Sequence, residues 1–464
     1  NRIQNRWRFM TIQKLSIQNL LLVGFTLFSM FFGAGNLIFP PDLAARAGAQ
    51  VIPAMAGFLI SAVGLPVLGV AAVAVSGGLE KLAGKVGGRF SLLFTLTAYL
   101  AIGPFLAIPR TASTSFEMTL LPVLSGAGVQ LGDYLGHTGM TVRFWAQLGY
   151  SFVFFAIALL LSVHPETLSE RLGKVTCPAL LILIAVLFTG RLIWPMEGVG
   201  ETAAEFAAGA SVRGFMEGYQ TMDTLAALNF GIIISLNIRN KGISREDSVI
   251  RETIKAGLMA GILLSLVYGA LAYIGGPVGQ QAGAGTNGAR ILTFVAGDLF
   301  GISGMVILGI IFFIACLNTC VGLICCCSQF FSTLAPCVGY RIWTVVFAVI
   351  SLLISSAGLD RILKYSVPVL NAVYPIAIVL IALAFMERFT GRRIWVYRLS
   401  ILFTAAVSVV WTMDQAALAI PGITEGMRHL PGYAPGLGWL LPAVIGGLLG
   451  RMIPGGNETG DGQG

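Results

Sequence analysis

FGAGNLIFP, residues 32–40, is the stretch on which the reading of this chain turns. It sets Gly33, Gly35 and Asn36 inside an apolar run, residues 16–39, that is otherwise long enough to cross a bilayer, about 20 residues. Backbone unwound at membrane depth needs polar partners that lipid cannot supply, so it persists only where it is buried in protein or lines a cavity. A break here therefore points to a site. It would free the carbonyls of Phe31 and Phe32 for a cation and turn the amides near Gly35, Asn36 and Leu37 toward an anion at a half-helix N-terminus. The competing reading is close helix packing by small residues, a frequent pattern in membrane helices.

The rest of the chain makes lipid the solvent. Of 464 residues, 56% are hydrophobic and 11% charged, against about 25% charged in a soluble domain, and mean hydropathy is +0.84. A water-soluble fold cannot hide that much apolar surface. The net charge of +8 does not indicate nucleic acid, because the basic residues form short clusters between apolar runs rather than one face. Five of the seven cysteines (Cys316, Cys320, Cys325, Cys326 and Cys327) share one apolar run, which reads as packing rather than a disulfide framework or metal site. Arg2, Arg6, Arg8 and Lys14 precede an apolar run without a small-residue cleavage site, so the first hydrophobic segment is expected to be retained.

Twelve apolar stretches are predicted to span: residues 16–39, 51–75, 90–116, 144–163, 175–194, 217–238, 254–276, 302–327, 341–357, 365–386, 394–413 and 434–453. The run 299–340 could hold two spans, but Pro336 and Gly339 read as a turn. With one span there and the N-terminus inside, cytoplasmic segments carry 20 Lys/Arg and outer ones 9; splitting the run gives 17 and 12. Cytoplasmic loops collect Lys and Arg, so the twelve-span arrangement with both termini inside is favoured. The expected organisation is a cytoplasmic segment 1–14, a first five-helix repeat 15–195, a second repeat 215–388, two further helices in 392–453, and a flexible cytoplasmic tail 454–464. The acidic outer loop 195–217 is expected to be part helical.

A second interruption, YQTMDTLAALNFG at residues 219–231, places Asp223 in the sixth span. A carboxylate costs about 2.5–3.5 kcal/mol at a membrane-helix centre, so it should face a cavity, an ion or a basic partner. Thr221, Asp223 and Thr224 are the substrate-ligand candidates there. The alternative is that Asp223 is hydrated in the outer half of the span. An odd number of helices per repeat inverts the second copy, which would bring the breaks in spans one and six together at the midplane. Arg110 and Glu117 read as gate or structural residues, and His137, His164 and His429 fall in loops where they supply no proton relay.

FGAGNLIFPP, GFLISAVGLPVLGVAAVA (residues 57–74), AIGPFLAIPRTASTSFE (residues 101–117) and YQTMDTLAALNFG together resemble the bacterial branched-chain amino acid:cation symporter family, within the amino acid-polyamine-organocation superfamily. The resemblance implies an all-α polytopic membrane protein of about twelve transmembrane helices. They would form a LeuT-like 5+5 inverted repeat with helices 1 and 6 broken, followed by two C-terminal helices. It also implies uptake of leucine, isoleucine and valine across the bacterial inner membrane, driven by sodium or protons, with no cofactor beyond the coupling ion. The expected partners are the amino acid and the lipid bilayer, without nucleic acid; oligomeric state is left open.

Carried over by residue, Gly33, Ala34, Gly35 and Asn36 resemble the glycine-rich substrate and ion site. ACLNTCVGL, residues 315–323, resembles the segment that gives a sodium ion a carbonyl and hydroxyls, which selects Ala315 and Thr319 as metal ligands with Phe31 and Phe32. Asn318 stands where related transporters often carry a hydroxyl, so its amide oxygen either ligates or packs. Oxygen-only ligation suits a hard cation and favours sodium over the proton. The competing readings are a membrane-embedded enzyme, for which no paired carboxylates or nucleophile–base set is evident, a channel, which would show pore-lining rings or a filter, a sensor that binds without transport, and a transporter of the same fold with another substrate or proton coupling.

Overall fold

The structure, a computed structural model, describes residues 13–126, 128–130, 132, 140–164, 169–196, 198, 200–280, 288–390 and 393–453. Most of the N-terminal segment, His137 and the tail 454–464 lie outside the described residues. Among those described, every regular element is helical.

Helix α1 (Ile17–Phe31) starts on Ser16, whose side chain accepts the Asn19 N–H, and stops at Phe32. Helix α2 (Ala34–Ala47) resumes after Gly33 and carries Pro40 and Pro41 in its interior. The first span thus runs eight residues past the expected end at 39. The prolines withhold helical donors from the carbonyls of Asn36 and Leu37 without stopping the helix. The second span is α3 (Val51–Leu59) and α4 (Leu65–Ser76), joined by a wide π turn at Ile60–Gly64 just before Pro66. After the short α5 (Leu79–Gly84), α6 (Gly88–Leu100) and α7 (Ala107–Gly126) form a third span longer than the expected 90–116. It is bent at Gly103, next to Pro104.

Helices α8 (Val142–Ser162) and α9 (Cys177–Ile193) complete the first half. The loop after α9 is part helical, as expected, and leads through α10 (Ala210–Gly218) to α11 (Asp223–Asn240). Helices α12 (Glu246–Gly275), α13 (Gly288–Leu334), α14 (Tyr340–Ser355), α15 (Leu359–Thr390), α16 (Ile394–Gln415) and α17 (Leu440–Met452) follow. In α13 the chain changes direction at Gly301 (φ 57°, ψ −134°), so residues 288–300 form an arm and the apolar run beyond holds one span rather than two.

Among the described residues, eight helical stretches are long and apolar enough to cross a bilayer, the bent pair α10–α11 is a ninth, and α1, α14 and α17 are shorter apolar helices. With α1 and α2 sharing the first crossing, they correspond to the twelve spans read from the sequence. Ile52, Ile262, Leu266 and Ile302 point outward, as lipid-facing side chains do.

The broken first span is packed against α12 and α13. Phe28 and Phe32 stack at 5.2 Å beside the break, and Tyr268 of α12 lies 5.4 Å from the Phe58 ring. Helix ends that face the interior find side-chain partners. The carbonyl of Ser355, last residue of α14, accepts from Gln147 Nε2 of α8 at 2.5 Å and from Ser113 Oγ of α7 at 3.1 Å. Gln147 is buried, and because Ser113 Oγ and the Gly358 N–H still reach this carbonyl, loss of the Gln147 bond costs about 0.5–1.5 kcal/mol. Gln147→Leu is therefore expected to lower the thermal unfolding temperature of the purified protein, with substrate affinity kept in the folded fraction; unchanged unfolding would show that this tie contributes nothing.

Candidate functional site

The first break is short and tightly held. Gly33 is extended (φ −117°, ψ −160°), its N–H donates to Asn36 Oδ1 at 3.2 Å, and its carbonyl accepts from Leu37 N–H at 3.3 Å. Asn36 thereby ties the unwound residue to the first turn of α2. Neighbours come close enough to require glycine. A Cβ at position 33 would lie 2.7 Å from Thr319 Oγ1, and one at position 35 would lie 2.7 Å from Arg110 Nη2.

The second break falls at Met222, a non-glycine residue in the left-handed region (φ 67°, ψ 5°), where α10 and α11 meet at a 44° bend. A 3₁₀ turn, Tyr219–Thr221, precedes it. Thr221 Oγ1 donates to the Gly218 carbonyl at 2.8 Å and accepts the Asp223 N–H at 3.4 Å. Asp223 opens α11, where the helix dipole favours a negative charge.

The two breaks meet through side chains. Asn36 Nδ2 donates to Asp223 Oδ2 at 2.5 Å and also to the Tyr268 hydroxyl, which itself donates to Asp223 Oδ2 at 3.2 Å. Asn36 is 1% exposed, Asp223 2% and Tyr268 0%. Asp223 is thus an interior carboxylate with both of these donors on Oδ2, and the hydrated outer-half alternative does not describe it.

A small cavity of about 30 Å³ lies at this junction. Of the residues singled out in the sequence it brings together Phe31, Gly33, Ala34, Gly35, Asn36, Thr221, Asp223 and Thr319. Phe32, Thr224, Ala315 and Asn318 are absent from its lining. Thr224 Oγ1 instead reaches the Ser61 carbonyl at 3.5 Å. Ala315 and Asn318 are buried on α13, which packs against both α1 and α2. Both amide atoms of Asn318, and Thr319 Oγ1, are buried without a hydrogen-bond partner among the described residues. Such orphaned oxygens beside a helix break suit a hard cation.

Tyr268 was not among the residues singled out in the sequence; its signal there is one of two tyrosines, with Tyr273, in the seventh apolar run. Arg110 was assigned only a gate or structural role, yet it lines the cavity with Thr111. Its Nη1 donates to the Gln220 carbonyl at 2.9 Å and its guanidinium lies 5.3 Å from the Phe39 ring centroid. Glu117 turns elsewhere and pairs with Arg143 at 2.8 Å. Phe39 and Gln220 line a larger cavity of about 740 Å³, so Arg110 connects the lining of one cavity to that of the other.

Near that larger cavity Arg46, in the last turn of α2, pairs with Asp42 at 2.7 Å, with Glu217 of α10 at 3.1 Å and with Glu205. Arg213 joins the same two glutamates, at 3.2 Å to Glu205 and 3.1 Å to Glu217. This cluster links α2 to α10. The cysteines pack as expected: Cys325 Sγ contacts the Ser162 carbonyl and Cys327 Sγ the Tyr99 carbonyl. His164 and His429, the described histidines, lie at the surface between spans.

A sequence profile described as "Branched-chain amino acid transport protein" matches residues 16–455. The branched-chain amino acid transport system 2 carrier protein of Pseudomonas aeruginosa is 40% identical over 430 residues, covering 92% of this chain and 94% of that protein. The branched-chain amino acid permease BrnQ of Bacillus subtilis is 38% identical over 444 residues, covering 95% and 98%. These relatives are named as carriers and permeases, not enzymes. The fold is shared with the nucleobase-cation-symport-1 family transporter Mhp1, solved in a closed conformation with bromovinylhydantoin bound: TM-score 0.58, 15% identity, 93% of this chain and 91% of that one. A broken-helix, all-α, multi-pass membrane fold and a match spanning nearly the whole sequence lead to one conclusion: the chain belongs to the branched-chain amino acid transport protein family.

Proposed function

We propose that the chain is a secondary active symporter that imports leucine, isoleucine and valine across the bacterial cytoplasmic membrane with a cation, sodium rather than a proton, by alternating access. The observation that carries this reading is the meeting of two broken spans at one cavity through Asn36, Asp223 and Tyr268. Breaks of this kind are where secondary transporters hold substrate and ion, and repeats 15–195 and 215–388 are assigned as the two halves that rock around it. The Lys/Arg bias supports cytoplasmic termini.

The roles follow from chemistry. The substrate carboxylate faces the first amides of α2, after Gly33, where helix geometry leaves N–H groups without intrahelical partners. Asp223 attracts the ammonium group, and Met30, Ile102 and Leu323 offer an apolar wall to the aliphatic tail. A charged side chain on the ligand would be buried there without a partner, which disfavours lysine or glutamate. The coupling sodium is assigned to the backbone oxygens of Phe31, Phe32 and Ala315 with the side chains of Asn318 and Thr319, on the strength of the orphaned oxygens on α13.

A tenfold sodium gradient contributes about 1.4 kcal/mol and a 100 mV potential about 2.3 kcal/mol, enough together for several-hundred-fold accumulation per sodium. In proteoliposomes, leucine uptake is expected to require sodium, and Thr319→Ala to raise the half-saturating sodium concentration about tenfold. Uptake indifferent to sodium and driven by a proton gradient alone would overturn the sodium assignment. Asp223→Asn keeps shape and hydrogen-bonding capacity but removes charge and titration. It is expected to abolish leucine binding at every pH. Retained exchange with lost proton-driven accumulation would instead make Asp223 the proton carrier.

A further inference from the structure

Arg110 poses a problem of charge. Its residue exposure is 5%, and among the described residues no carboxylate lies within ion-pair distance of it. Asp223, in the same cavity, is 2% exposed, and among the described residues the donors to its Oδ2 are the neutral Asn36 and Tyr268. Two opposite charges therefore line one small cavity without pairing with each other. A buried charge that lacks a counter-charge is costly, and that cost is relieved by whatever brings one. A zwitterion brings both at once, with no net charge of its own.

The placement of Arg110 fixes the orientation. Its Nη2 would lie 2.7 Å from a Cβ at Gly35, so the guanidinium stands over the first turn of α2, where the helix presents its unpaired amides. With Nη1 held by the Gln220 carbonyl and the plane packed on Phe39, the arginine is pre-oriented rather than free to swing.

We propose that Arg110 is the specificity residue for the α-carboxylate of the substrate. It binds that group together with the α2 N-terminal amides, while Asp223 takes the α-ammonium, so the site selects zwitterionic α-amino acids over their amides and decarboxylated amines. The inference rests on the transport reading above and adds a charged ligand to it. Because Phe39 and Gln220 line the larger cavity, a carboxylate on Arg110 is linked through them to its lining.

The test pairs a deletion on the ligand with one on the protein. Affinities of leucine and leucinamide, which share the ammonium and the aliphatic tail, are measured on the purified full-length parent, Arg110→Gln and Arg110→Lys, with thermal unfolding as a check on folding. The parent is expected to prefer leucine about 100-fold, as sites with a buried polar group left unpaired by the analogue do. Arg110→Gln is expected to shrink that preference to within about threefold, chiefly by losing leucine, and Arg110→Lys to retain part of it. A parent that binds leucinamide as well as leucine overturns the proposal without any variant, and so does a folded Arg110→Gln or Arg110→Lys that keeps the full 100-fold preference while Arg110 is altered. If another amino acid binds and branched-chain ones do not, the substrate assignment fails; the acid and amide of that ligand then test Arg110 by the same ratio.

Discussion

Everything at the centre of this protein depends on one side-chain amide. Asn36 spends its oxygen on the N–H of Gly33, inside the first break, and its nitrogen on Asp223 and Tyr268, at the second break and on α12. Three segments far apart in sequence are fixed relative to one another by a group with no room for error, since it is 1% exposed. In lipid the alternative to these bonds is an unsatisfied backbone and an unsupported carboxylate, both costly. The interruption of two spans is thus tolerated because each break supplies what the other lacks.

The same arrangement is suited to change shape. Met222 holds a left-handed conformation that costs on the order of 1–3 kcal/mol in a non-glycine residue, and it stands at the 44° bend between α10 and α11. Strain of that size is comparable to the binding energy of a few contacts, so substrate and ion can shift the balance between two arrangements. The half-helices α2 and α10 are joined by Arg46, Arg213, Glu205 and Glu217, so they are disposed to move together. By contrast α17 packs chiefly on α16, away from both breaks.

Much of this was legible in the sequence, for a physical reason: lipid makes local interruptions conspicuous. Glycines and an asparagine at 33–36, and a carboxylate at 223, stand out in apolar runs whatever surrounds them. The twelve spans follow from length and hydropathy alone. What escaped was non-local. Nothing near Tyr268 says that its hydroxyl meets Asn36, and reading Arg110 and Glu117 alike as gate or structural residues does not show that they reach different partners. Helix ends were misjudged where proline is tolerated, as at Pro40 and Pro41, and the arm 288–300 was missed because its turn at Gly301 is one residue wide. Of the α13 ligand candidates only Thr319 reaches the central cavity; the orphaned Asn318 amide lies behind it, a distinction of depth that a helical segment read in isolation does not carry.

The central claim is that substrate sits between the two breaks with its charges divided between Arg110 and Asp223. The most direct measurement is an experimental structure of the full-length protein with leucine and sodium bound, at a resolution that separates carboxylate from aliphatic density. The account predicts leucine in the cavity bounded by Gly33, Asn36 and Thr319, its carboxylate within hydrogen-bond distance of the Arg110 guanidinium and its ammonium facing Asp223. Leucine found elsewhere, or bound there with Arg110 turned away and its carboxylate held by other groups, would contradict it.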